Sequence, residues 1–190
     1  MKAKIYVCVL AMMLCANAKE EGIKKMLSNT QKVVCNDIYG KTYEVAVDQL
    51  SFRPSVYGVI INDGKILLSR QWGGYDFPGG GIELGETVEQ ALIREVKEET
   101  GLEVRVGHII TAGNSFFKFP FGEKYVQAIV LYYWCEVIGG TLSADFLDEC
   151  EKQYADKPEW IDIKEIEKIK FYSAIDSVKL IHEAARILNS

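Results

Sequence analysis

The chain lacks a basic excess, a cysteine framework, a cluster of histidines and any apolar run long enough to be a comfortable membrane span. Each absence removes a class of function. Lys and Arg number 22 against 27 Asp and Glu, a formal net charge of −5. Binding to a phosphate backbone rests on basic surface, so polymeric nucleic acid is not the expected partner. Of the 5 cysteines, Cys8 and Cys15 fall in the first segment, while Cys35, Cys135 and Cys150 are scattered and form no CxxC pair. They read as packing residues. The 2 histidines, His108 and His182, have no partner pattern and read as structural. Repeats, low-complexity stretches and linkers are absent as well.

What is present suits one globular domain. The chain has 190 residues, 48% of them hydrophobic, enough to bury a full core. Residues 1–18 carry Lys2 and Lys4, an apolar run from Ile5 to Ala16, and Ala16-Asn17-Ala18 before Lys19. That pattern resembles a secretory signal peptide with an A-x-A cleavage site. A mis-assigned start, with Met26 as one candidate for the true one, is the alternative. Residues 19–30 form an extension and residues 31–190 the expected domain.

The most informative stretch runs from Gly79 to Leu102. Thr87 followed by Gln90 reads as a capping box, and Gly101 as the residue that ends the helix, which predicts a helix from Thr87 to Thr100. At 3.6 residues per turn Val88, Ala91, Leu92 and Val96 share one side, and Glu95, Glu98 and Glu99 fall on or beside it. Glu89, Lys97 and Thr100 are expected to point away. A solvated acidic face with an i,i+4 pair from Arg94 to Glu98 is the bland reading. Against it, carboxylates amid an apolar stripe are costly unless something compensates them, and hard oxygen ligands clustered in this way suit Mg²⁺ or Mn²⁺.

These residues resemble the Nudix box. Gly80, Glu86, Arg94, Glu95, Glu98, Glu99 and Gly101 supply its fixed identities, and Val96 and Leu102 its hydrophobic positions. Softer features of the family extend from about Arg53 to Phe171. The resemblance implies an α/β fold, the Nudix α/β/α sandwich with a mixed β-sheet. It also implies a metal platform of Glu95, Glu98, Glu99 and the carbonyl of Gly79, oriented by a Glu86–Arg94 ion pair. The implied reaction is hydrolysis of the pyrophosphate bond of a nucleoside diphosphate linked to another group, such as a (d)NTP, ADP-ribose or a nucleotide sugar. Glu95 or Glu98 would take the proton of the attacking water. The alternative is a non-catalytic Nudix-like module that only binds a nucleotide.

Around the box, Lys32 to Asn36 and Thr42 to Val47 read as strands of a hairpin through Tyr39-Gly40. Ser55 to Ile61 and Lys65 to Gln71 flank Asn62-Asp63-Gly64, a strong hairpin signal. In the loop before the box, Arg70 could clamp a phosphate and Trp72 or Tyr75 could stack on a base, the alternative being that the aromatics pack beneath the loop. Glu103 to Val106, His108 to Ala112, Ser115 to Phe119 and Tyr125 to Val137 read as further strands, the last one central. Downstream, Glu149, Glu151 and Asp156 are candidates for an additional acid. Pro158 to Asp162 suggests a late strand followed by a short helix, and Ser173 to Leu188 an amphipathic helix capped by Ser173.

The expected partner is a small nucleotide. The oligomeric state is left open, a homodimer included. Nucleotide chemistry favours a cytoplasmic location, and the first 18 residues favour export.

Overall fold

In the computed structural model the described residues are 31–120, 122–145, 147, 152 and 154–188. The signal-like segment, Met26, Cys150 and the candidate acids Glu149 and Glu151 lie outside them. Among the described residues no helix is long and apolar enough to cross a membrane.

The chain divides into two compact units. The first comprises residues 1–51 and 116–126. Its described part is the hairpin of β1 (Lys32–Asn36) and β2 (Thr42–Ala46), paired antiparallel from Lys32↔Ala46 to Asn36↔Thr42. The turn holds because the Asp37 carboxylate accepts the Tyr39 and Lys41 amides at 2.9 and 2.8 Å. Asn36 also pairs in parallel with Phe117. Cys35 and Val45 are buried, and the ammonium of Lys118 lies 4.9 Å from the centre of the Tyr43 ring.

The second unit, residues 52–115 and 127–190, holds the Gly-rich loop and the acidic helix. Its strands are β3 (Leu50–Asn62), β4 (Lys65–Gln71), β5 (Gly74–Asp76), β6 (Gly79–Gly81), β7 (Leu102–Lys118), β8 (Tyr125–Gly140) and β9 (Ala155–Asp162). They run in the order β7-β8-β3-β4-β5, with β6 paired to β3 and β9 to β4. β8 therefore lies between two strands, as its apolar run predicts. The β3–β4 hairpin turns through Asp63 and Gly64, both at positive φ, as the Asn-Asp-Gly signal requires. Strand β7 is one continuous element where three shorter ones are expected. Its turn-like residues Gly107 and Gly113 serve packing: a side chain at Gly107 would collide with the Trp134 indole, 2.2 Å away.

Helix α1 (Val88–Thr100) follows the sequence closely. Thr87 caps it, the Thr87 hydroxyl accepting from the Gln90 amide while the Gln90 side chain accepts from the Thr87 amide. Such a cap contributes about 1 kcal/mol. Gly101 ends the helix in the left-handed conformation. Ala91, Leu92 and Val96 pack on Val56, Ile60, Leu67 and Val104 of the sheet. Thr100 departs from expectation. It is fully buried, its hydroxyl donating to the Val96 carbonyl at 2.6 Å, because Ser143 closes over the helix end by donating to the Thr100 carbonyl.

After β9 a 3₁₀ turn (Ile163–Lys168) buries Ile166, and α2 (Ser177–Leu188) buries Leu180, Ile181 and Ala184. Its first turn is capped by Asp176, which accepts from the Lys179 amide at 3.0 Å. Ser173 lies three residues before that cap position and partners the Ser177 hydroxyl. Cys35 and Cys135 are free, buried thiols, and burial pushes the Cys135 thiol up to about 12, which makes it unreactive.

Candidate active site

The site forms where β6 runs antiparallel to β3, with Tyr57↔Gly79, Val56↔Gly80 and Ser55↔Gly81 in register, and where α1 packs on the glycine strand. Gly80 explains the close approach. A Cβ there would stand 2.7 Å from the Glu95 carboxyl carbon and both its oxygens, so only glycine lets that carboxylate lie against the backbone.

Arg94 organises the acids. Its Nε and Nη2 donate to the two Glu86 oxygens at 2.7 and 2.9 Å, and Nη2 also donates to the Gly81 carbonyl at 3.1 Å. Nη1 reaches Glu95 at 3.0 Å and Glu98 at 3.1 Å. The guanidinium fork thus ties the loop carboxylate to two helix carboxylates and to β6. These bonds, joined by the Glu83 amide, lower the Glu86 carboxyl to about 2. Glu95 is 8% exposed. Burial raises its pKa, opposed by the charge and hydrogen bond of Arg94.

Glu99 is held separately: its Oε2 accepts from the Ser69 hydroxyl at 2.6 Å and from the Gly79 amide at 3.2 Å. Ser69 faces Asp76 across the β4–β5 pair. Asp76 is buried beneath this loop and accepts the Phe77 amide at 2.8 Å. Desolvation nevertheless raises its pKa to about 7. Burial, and then the Asp76 charge, push the Tyr57 and Tyr132 phenols well above their ordinary range.

Of the loop residues expected to meet substrate, each has a partner within the protein. Arg70 pairs with Glu159 at 3.3 Å and Asp156 at 3.8 Å, and the Tyr75 hydroxyl donates to Glu159 at 3.2 Å. Trp72, at a positive φ of 54°, stacks on Tyr154 with ring centres 4.7 Å apart. Of the downstream acids, Asp156 borders a small cleft of about 10 Å³ together with Ser69, Gln71, Glu99 and Tyr154. Ser69, Asp76 and Tyr154 escape a sequence reading. Ser69 meets Glu99 across 30 positions of chain, and no local pattern encodes such a contact.

The NUDIX domain family model matches residues 51–181. The chain belongs to the Nudix hydrolase family. It is similar to the ADP-ribose pyrophosphatase of Methanocaldococcus jannaschii, with 32% identity over 181 residues, 87% of this chain and 98% of that protein. It also resembles the RNA pyrophosphohydrolase of Sodalis glossinidius, at 37% identity over 84 residues. That match spans 43% of this chain and 48% of the relative. Among solved structures, an ADP-ribose pyrophosphatase from Streptococcus suis superposes with a TM-score of 0.56 at 17% identity, covering 73% of this chain and 92% of that one. This likeness establishes the fold. The Nudix chain is therefore an enzyme, a pyrophosphohydrolase, rather than a module that only binds nucleotide, and hydrolases of this family use divalent metal cations.

The donor set suits such a cation, since three hard carboxylates and a backbone carbonyl are oxygen ligands of the right kind. Among the described residues no group of three or more acidic, His or Cys side chains is drawn together closely enough to hold a metal ion. The carboxylates are compensated internally instead, Glu95 and Glu98 by Arg94 and Glu99 by Ser69 and Gly79. Glu98, with its side chain 41% exposed, is the most open of the Arg94-bound carboxylates.

Proposed function

We propose that this Nudix enzyme hydrolyses the pyrophosphate bond of ADP-ribose, or of a closely similar nucleoside diphosphate joined to a sugar, with Mg²⁺ as the resident cation. The observation that carries the reading is the match to an ADP-ribose pyrophosphatase along 98% of that protein's length.

Glu95, Glu98, Glu99 and the Gly79 carbonyl would hold the cation. When bound, it would offset charge on the pyrophosphate and make an attacking water more acidic. Glu86 and Arg94 keep the loop and the helix in register, and Arg94 shields the carboxylates from one another. Glu98, the more exposed of the two helix glutamates tied to Arg94, takes the proton from the attacking water, with Glu95 as its alternative. The water adds to phosphorus, one bridging P–O bond breaks, and the products are AMP and ribose 5-phosphate.

Product analysis tests this. With Mg²⁺, ADP-ribose should release AMP and ribose 5-phosphate faster than a panel of (d)NTPs, nucleotide sugars and 5′-triphosphate RNA releases its products. Faster turnover of any other panel member would overturn the assignment of substrate. Comparing Mg²⁺ with Mn²⁺ and with chelator in the same assay identifies the cation.

A further inference from the structure

Arg53 lies on the part of β3 that borders the glycine strand, and its guanidinium lies over Gly81. A Cβ at Gly81 would be 2.8 Å from Nε and 2.9 Å from Nη2. Its charge reaches the site, lowering the proton affinities of Glu95 and Tyr57. Every other arginine described in this unit is paired: Arg70 with Glu159, Arg94 with Glu86 and Arg105 with Glu136, with Arg186 near the end of α2 the one exception. Arg53 is half-buried and makes no ion pair or hydrogen bond among the described residues.

A second observation falls at the same place. Ser55 shares the Arg53 face of β3, since side chains two apart point the same way, and it sits directly across from Gly81. It is 1% exposed, and its hydroxyl is the single buried side-chain polar atom without a hydrogen-bond partner among the described residues. An unmet buried hydroxyl and an unpaired, partly desolvated guanidinium are each costly, and here they adjoin the loop that would meet the pyrophosphate.

We propose that Arg53 is a phosphate-binding residue: its fork takes oxygens of the substrate's diphosphate on the Gly81 side of the loop, beside the unpartnered Ser55 hydroxyl. Guanidinium suits this because its donors match two phosphate oxygens at once, whereas a lysine offers a point charge. Gly81 is the complementary element, as any side chain there would displace the guanidinium. The inference rests on the reading of the site as a pyrophosphate hydrolase and names a substrate contact that the box does not contain.

The test uses Arg53→Gln and Arg53→Lys in the full chain. Arg53→Gln should raise the KM for ADP-ribose about tenfold to a hundredfold, with a smaller change in kcat. Arg53→Lys should recover part of the loss. The melting temperature should hold in both, because no internal partner is lost. Binding of ADP in the presence of Mg²⁺, measured by calorimetry, should weaken by a similar factor in Arg53→Gln. This arm is independent of turnover: if ADP-ribose is not hydrolysed, the functional reading fails while the ADP comparison still judges Arg53. An unchanged KM and ADP affinity, wild-type protein that binds no ADP, or a large fall in melting temperature in Arg53→Gln would each overturn the proposal.

Discussion

Arg94 holds Glu86 through two parallel hydrogen bonds, Nε to Oε1 at 2.7 Å and Nη2 to Oε2 at 2.9 Å, and the same guanidinium spans Glu95 and Glu98. A lysine cannot reproduce this fork, and alanine leaves the buried Glu95 without its nearest cation. Arg94→Ala should destabilise the fold by roughly 2–4 kcal/mol, and Arg94→Lys by less. Urea unfolding curves check both, and equal midpoints for all three proteins would contradict the bracing role.

Glu99→Gln separates chemistry from structure. The amide oxygen of Gln can still accept from Ser69 and Gly79, so the melting temperature should stay near that of the wild type. Mg²⁺-dependent turnover should fall at least about a hundredfold, since a neutral amide is a poor ligand for a hard cation. The same outcome is expected for Glu98→Gln. Retained turnover in either would refute its place in the metal platform.

Asp76 makes stability depend on pH. Its carboxyl is raised from 3.8 to about 7, so the folded state holds the proton more tightly than the unfolded chain does. Below pH 3.8 the group is neutral in both states and costs nothing; as pH rises from there to about 7 the folded state loses stability, because the unfolded chain's carboxyl ionises while the buried one holds its proton. The loss is on the order of 4 kcal/mol at most. Asp76→Asn should therefore gain on the wild type from pH 5 to pH 8. Parallel stability curves for the two proteins would exclude the effect.

Gly80→Ala tests the close approach of helix and strand. The added methyl would fall 2.7 Å from the Glu95 carboxylate, so that side chain must move. The substitution should cost roughly 1–3 kcal/mol of stability, and turnover should fall about a hundredfold through misplacement of the carboxylate. Wild-type kinetics in this variant would show that Glu95 tolerates displacement.

Much of the local structure was legible along the chain. The Thr87 cap, the Gly101 stop, the Asp63-Gly64 turn and the Ala91, Leu92 and Val96 stripe each follow from a few neighbouring residues, whose hydrogen bonds and periodicity are set within one or two turns. The part of the Nudix box from Arg94 to Glu99 has this character, because its spacing is the pitch of a helix. Legibility ended where partners lie far apart. Thr100 reads as outward by angle and is buried by a loop more than 40 residues on. Ser173 has the residue type of a cap, yet Asp176 holds the position.

From its sequence alone, this protein is a Nudix hydrolase with its acids on the box helix. That much depends on residue type at fixed spacing, which a helix turns directly into geometry. Tertiary structure decided how those acids are compensated. Pairing of β6 with β3 brings Gly80 against Glu95 and Gly81 beneath Arg53, β4 brings Ser69 to Glu99, and β9 brings Glu159 to Arg70. Strand register between distant segments sets these contacts, and with them which charges are satisfied within the protein.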